Sequence, residues 1–146
     1  MAIPSLDAAR KICEFGNWEI TNLKIQKILY LINLVYLGRN KNPLINEYFE
    51  AWGFGPVEPK LYHNIKFFGA NPIKLIPSSK SLEDGHYLDI IKEVFEVVKN
   101  KTATQLVELT HRKNGAWYNT YAINKKGLRI NNNDILAEYE RFSRGQ

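Results

Sequence analysis

Thr21-Asn22-Leu23-Lys24-Ile25-Gln26-Lys27-Ile28-Leu29-Tyr30-Leu31-Ile32-Asn33-Leu34-Val35-Tyr36-Leu37, followed by Gly38, sets the architecture of this chain. Polar side chains punctuate its first half at Asn22, Lys24, Gln26 and Lys27, whereas from Ile28 onward Asn33 alone interrupts an apolar run. A helix that is apolar nearly all round has to be covered on every side, so this segment is expected to be the central post of a helical core. It is too short and too interrupted for a membrane span, which takes about 20 apolar residues. Thr21 or Asn22 can cap its start, and Gly38 is the expected left-handed residue at its end. At about 1.5 Å per residue the helix is roughly 24 Å long, the width of a small domain.

Asn22, Gln26 and Asn33 share one stripe of that helix, because steps of four and seven residues return to the same face. A buried stripe of this kind needs partners, since each unpaired polar group costs roughly 1–3 kcal/mol. The expected partners are backbone groups of Gly53-Phe54-Gly55-Pro56-Val57-Glu58-Pro59, the strongest punctuation in the chain. A groove for a partner protein is the sharper alternative.

Working outward, Pro4-Ser5 opens a first helix to about Phe15, with Ser5 as its cap, and Gly16-Asn17 ends it. Tyr48 to Trp52 is rich in aromatics and is expected to be extended, giving at most a small two-stranded β element near 48–52. Pro59 suits the first turn of a helix to about Phe68, which Gly69 ends. Asn71 to Ser81 is loop-like, with room for a short strand at Ile73–Ile76. Tyr87, Leu88, Ile91, Val94, Phe95 and Val98 form the apolar stripe of a helix over about 83–99. Thr102-Ala103-Thr104-Gln105 is a capping box for the helix that reaches Thr110-His111. A short helix over Ala116 to Tyr121 and a last one over about 134–143 follow, with Ser143 to Gln146 fraying. The expected fold is mainly α, a single helical domain over 1–146 built around the buried helix at about 21–38.

The chain has 146 residues, 45% hydrophobic and 24% charged, the profile of an ordinary globular protein. Cys13 is its one cysteine, read as a small core residue, so neither an intrachain disulfide nor a cysteine metal cage can form. Ala2-Ile3-Pro4-Ser5 does not resemble a signal peptide, and a cytoplasmic location is expected. The net charge of +5 leaves nucleic acid or an acidic protein surface as partners.

The motifs argue against catalysis. Gly53-Phe54-Gly55 lacks the third glycine of a dinucleotide fingerprint and the Gly-Lys-Ser/Thr of a P-loop, and Pro56 and Pro59 remove the N–H groups that would cradle an anion. His63, His86 and His111 lie on separate segments without metal-ligand spacing, so no metal or cofactor is expected. His111, at a helix end, is read as a partner for the terminal carbonyls and the dipole, with a hydrolase centred on it as a minor alternative. Lys99, Lys101, Arg112, Lys113, Lys125, Lys126 and Arg129, interleaved with Trp117, Tyr118 and Tyr121, keep a DNA-binding surface in view.

Three blocks now carry a family resemblance: Asn22-Leu23-Lys24-Ile25-Gln26-Lys27-Ile28-Leu29-Tyr30; Glu50 through Pro59 with Tyr62; and Leu109-Thr110-His111 with Trp117. Together they resemble the Panacea domain of phage-associated GepA-like proteins and SocA-like antitoxins, with a motif-bearing core of about 5–121. Departures are mild: Ile25 and Ile28 replace the usual leucines, and Asn114-Gly115-Ala116 precedes Trp117 where a proline is common. The resemblance implies a non-enzymatic antitoxin that binds a cognate toxin, in some members handing it to a protease; a DNA-binding regulator of the operon is the alternative. It marks Asn22, Lys24, Gln26, Lys27, Tyr30, Trp52, Gly55, Pro56, Pro59, Tyr62, His111 and Trp117 as scaffold or partner-binding residues. Trp52, Tyr62 and Trp117 are read as core rings rather than interface anchors.

Overall fold

The computed structural model describes residues 2–122 and 124–144. Helices α1 (Ser5–Phe15), α2 (Asn22–Asn40), α3 (Pro59–Ile65), α4 (Gly85–Val98), α5 (Ala103–Thr110), α6 (Ala116–Thr120) and α7 (Asn132–Arg144) surround a small antiparallel sheet of β1 (Phe49–Trp52), β2 (Gly55–Val57) and β3 (Leu128–Ile130). The protein is mainly helical, as expected.

α2 is the post. Every residue from Ile25 to Leu34 is buried, and α1, α3, α4, α5, α7 and β2 all pack against it. Thr21 caps its start, the hydroxyl accepting from the Lys24 N–H. Gly38 does not end it. The helix runs on to Asn40, and Lys41 takes the left-handed conformation at φ 61°. Gly38 instead lets α7 approach, because a Cβ there would stand 2.1 Å from Cδ2 of the Tyr139 ring. A small residue inside a helix thus marks a close helix crossing rather than a stop signal.

α1 begins at Ser5 with Pro4 in the cap position, so Ser5 is not the cap; its hydroxyl donates to the Glu58 carboxylate instead. Cys13 is buried in the core, where loss of solvent pushes its thiol up to about 12. The Thr102–Gln105 capping box forms in both directions, with Gln105 N–H donating to the Thr102 hydroxyl at 3.1 Å and Thr102 N–H to the Gln105 side chain at 2.8 Å. α3 starts on Pro59 and gives way to a 3₁₀ turn at Lys66–Phe68 before Gly69. Ile73–Ile76 forms no strand; Ile73 and Ile76 are buried, and the Ile73 N–H bonds to Ile20 O at 2.9 Å. α7 begins two residues earlier than expected and includes Ser143; Gly145 and Gln146 lie outside the described residues.

The sheet order is β2-β1-β3. β1 and β2 form the expected hairpin, with Trp52 opposite Gly55 and Gly53-Phe54 as its tip. The third strand was not expected: Phe49 pairs with Ile130 and Ala51 with Leu128 across a long separation in sequence. Three residues are too few to show a strand period. Phe49 and Ala51 turn into the core, while Glu50 and Trp52 face outward and are partly exposed.

Ile32→Ala, at a position with no solvent exposure, is expected to cost on the order of 2–5 kcal/mol in urea denaturation, and Leu31→Ala a similar amount. Losses below about 1 kcal/mol at both positions would remove α2 from the centre of the core.

Candidate functional site

The polar row on α2 meets the Gly/Pro hairpin. The Gln26 side chain grips the Glu58 backbone from both sides, accepting its N–H at 2.8 Å and donating to its carbonyl at 3.4 Å. The next residue, Lys27, with no solvent exposure, donates from Nζ to the Pro56 carbonyl at 2.9 Å. Gly55 permits this approach. Its φ is +115°, and a Cβ there would lie 2.6 Å from Lys27 Cε and 3.0 Å from Thr110 Oγ1. Glu58 completes the corner: buried, it takes the Ser5 hydroxyl and the Lys60 and Leu61 N–H groups, and so caps α3. Burial raises its carboxyl above the ordinary range, partly offset by those hydrogen bonds. The expectation that α2's polar residues would fix this turn therefore holds for Gln26. It fails for Asn33, whose Oδ1 accepts from Leu44 N–H at 2.9 Å in the loop before the sheet. The Asn22 Oδ1 is buried without a partner among the described residues.

A second polar centre lies further along α2. The buried Glu138 carboxylate of α7 accepts from Tyr30 OH at 2.6 Å, Arg112 Nε at 3.0 Å and Ala116 N–H at 3.1 Å. One carboxylate thus joins α2, the α5–α6 turn and α7. The Arg112 guanidinium also lies over the Phe142 ring at 4.0 Å, so this cation is spent inside the fold rather than on a basic surface. Lys99 pairs with Glu96.

Between the two centres, His111 stacks on Trp117 at 3.6 Å with the rings 4° from parallel, and Trp117 stacks on Tyr121 at 4.7 Å. Trp117 Nε1 donates to the Trp52 carbonyl at 2.6 Å, tying this stack to the sheet. The expected role of the His111 side chain at its helix end is corrected. The α5 carbonyls of Val107 and Glu108 accept the His111 backbone N–H, while the ring stacks and its Nε2 is buried without a partner among the described residues. Burial and then the positive charge of Lys27 lower its pKa, which favours the neutral ring over a cation at the dipole.

Beside the hairpin a cleft of about 400 Å³ opens between the start of α2 and α3, lined by Asn22, Leu23, Gln26, Lys27, Trp52 and Phe54, with Tyr62 and Val57. Trp52 and Tyr62 meet edge to face at 4.8 Å and are partly exposed, which corrects the reading of both as core; Trp117 is core, at 8% exposure. Phe54 at the tip is 71% exposed and Leu23 38%. Five of the twelve signature residues, Asn22, Gln26, Lys27, Trp52 and Tyr62, line the cleft, with Gly55 and Pro56 in the adjoining hairpin and His111 and Trp117 in the stack. Tyr30 belongs to the Glu138 centre, Pro59 starts α3, and Lys24 is partly exposed in the first turn of α2. Sequence reasoning missed Ser5, Glu58 as a cap, Arg112 as an internal cation and Glu138. Glu138 gave no local signal, whereas Glu58 directly before Pro59 has the cap-then-proline form. Among the described residues no group of three or more His, Cys, Asp or Glu side chains is placed to hold a metal ion.

Glu138→Ala strands Tyr30 OH, Arg112 and the Ala116 N–H together and is expected to cost on the order of 3 kcal/mol in chemical denaturation; a loss within about 0.5 kcal/mol would contradict the network. Burial lowers Lys27 from 10.5 to about 7. Above pH 7 the unfolded chain therefore binds more protons at this site than the folded one, so its contribution to stability rises with pH from about 7 towards 10.5 and is least below 7. The stability difference between wild type and Lys27→Met should accordingly shift in favour of wild type between pH 7 and 9. A difference that is flat over this window would place Lys27 in contact with solvent.

The model of the family described as "Antitoxin SocA-like, Panacea domain" matches residues 25–118. The chain is also similar to Antitoxin SocA of Caulobacter vibrioides (strain NA1000 / CB15N), with 33% identity over 112 residues, covering 67% of this chain and 58% of that protein. The chain thus spans rather more than half the length of this relative. No solved structure matches it. Among the described residues no helix is long and apolar enough to cross a membrane. With the matched segment running from inside α2, through the Gly/Pro hairpin, to the His111–Trp117 stack, the chain belongs to the SocA-like antitoxin family of Panacea domains.

Proposed function

We propose that this protein is the antitoxin of a toxin–antitoxin pair and neutralises its toxin by direct, stoichiometric binding. Family membership, with a relative named as an antitoxin, is the observation that carries the reading. The geometry is consistent with a binding role. His111, on which a hydrolase would depend, is a stacked ring whose Nε2 is covered, with no nucleophile bonded to it among the described residues. The partly exposed aromatics of the hairpin cleft, Trp52, Tyr62 and Phe54, are of the kind that anchor protein interfaces. Delivery of the bound toxin to a protease would follow binding and is a separable step.

Co-expression with the toxic gene adjacent to its own tests this. The expected result is rescue of growth and a complex of the two proteins that survives size exclusion, formed from purified components without protease. Absence of both rescue and complex would refute the reading. Retardation of the protein's own promoter fragment, with affinity falling steeply as salt rises, would favour the operon regulator instead.

A further inference from the structure

We propose that the cleft between α2 and α3 receives an acidic side chain, an aspartate or glutamate carried on an apolar segment of the protein partner, with Lys27 as its counter-charge. That the partner is the toxin rests on the antitoxin reading; the chemistry of the site does not.

Charge is the first argument. Lys27 is fully buried, yet among the described residues its Nζ has one hydrogen-bond partner, the Pro56 carbonyl, out of three possible. The carboxylates buried nearest the core are committed elsewhere: Glu58 to Ser5 and the α3 N-terminus, Glu138 to Tyr30, Arg112 and Ala116. A charge buried without an acid is costly, and the single bond to a neutral carbonyl offsets only part of that cost. Its presence on the floor of a cleft is explained if the acid arrives with a ligand.

The rest of the lining fits a peptide better than a free anion. Among the described residues no aspartate or glutamate borders the cleft, so none of them there repels an acid. Asn22, 9% exposed on the same wall, holds a side-chain acceptor without a donor, a need that a peptide N–H meets and a bare carboxylate cannot. Leu23, Phe54, Trp52 and Tyr62 offer apolar surface for the residues flanking the acid. The net charge of +5 favours encounter with an acidic segment. Lys27 is covered at present, so the acid reaches it only by displacing part of the wall, of which Gly53 and Phe54 at the hairpin tip are exposed.

Selection from a phage-displayed library of random dodecapeptides, run on the full chain and on two variants, tests the proposal without the toxin. Wild type should enrich peptides with Asp or Glu next to Leu, Ile or Phe. Lys27→Met, shown to be folded by its circular dichroism, should lose the preference for the acid, and Phe54→Ser should weaken the selected peptides by about tenfold. Enrichment without acids, the same acids selected by a folded Lys27→Met chain, or a response to sodium acetate alone would each overturn it. In the toxin assay, a Lys27→Met variant that neutralises as well as wild type refutes this inference and leaves the antitoxin reading standing. A wild type that binds selected acidic peptides through Lys27 but does not neutralise refutes that reading alone.

Discussion

A helix that is buried on every side cannot leave polar groups unanswered, and the fold depends on how α2 answers for Gln26 and Lys27. Both reach the backbone of one hairpin: Gln26 pairs with the N–H and carbonyl of Glu58, and Lys27 holds the Pro56 carbonyl. Main-chain groups that proline-rich sequence would leave without sheet partners are thereby satisfied from the core side. The hairpin is pinned, Glu58 is placed to cap α3, and α3 closes one wall of the cleft. Gly55 is the geometric condition for all of this, since any side chain there would occupy the space of the Lys27 stem.

The same economy appears at Glu138, where one carboxylate serves a tyrosine on α2, the turn before α6 and an arginine. The His111–Trp117–Tyr121 stack lies between these centres and is tied to the sheet through Trp52 O. Signature residues that are scattered in sequence are thus neighbours in a connected polar and aromatic seam. Such a seam explains their types by scaffold physics. The cleft beside it, with an unmatched lysine and partly exposed aromatics, is where scaffold and recognition overlap.

The helical architecture was legible because it rests on periodicity and capping chemistry: the post at α2, the stripe of α4 and the Thr102–Gln105 box are all local signals. Features set by distant contacts were not. Gly38 looked like a terminus because the approach of Tyr139 cannot be read from its neighbours. Ser5 looked like a cap because its true partner, Glu58, is far along the chain. β3 is too short to have a period, and Arg112 counted as surface charge until Glu138 was placed beside it. Of the site, the sequence marked the residue types and the turn; which rings would be half exposed depended on how α3 and the hairpin tip meet.

Hydrogen exchange at the Glu58 amide tests the central claim most directly, because its N–H is closed by the Gln26 side chain and not by any strand or helix ladder. The account predicts protection close to that of the α2 core amides, lost in Gln26→Ala while the α2 amides remain protected. Exchange of the Glu58 amide at the rate of an open loop in the wild-type protein would contradict it.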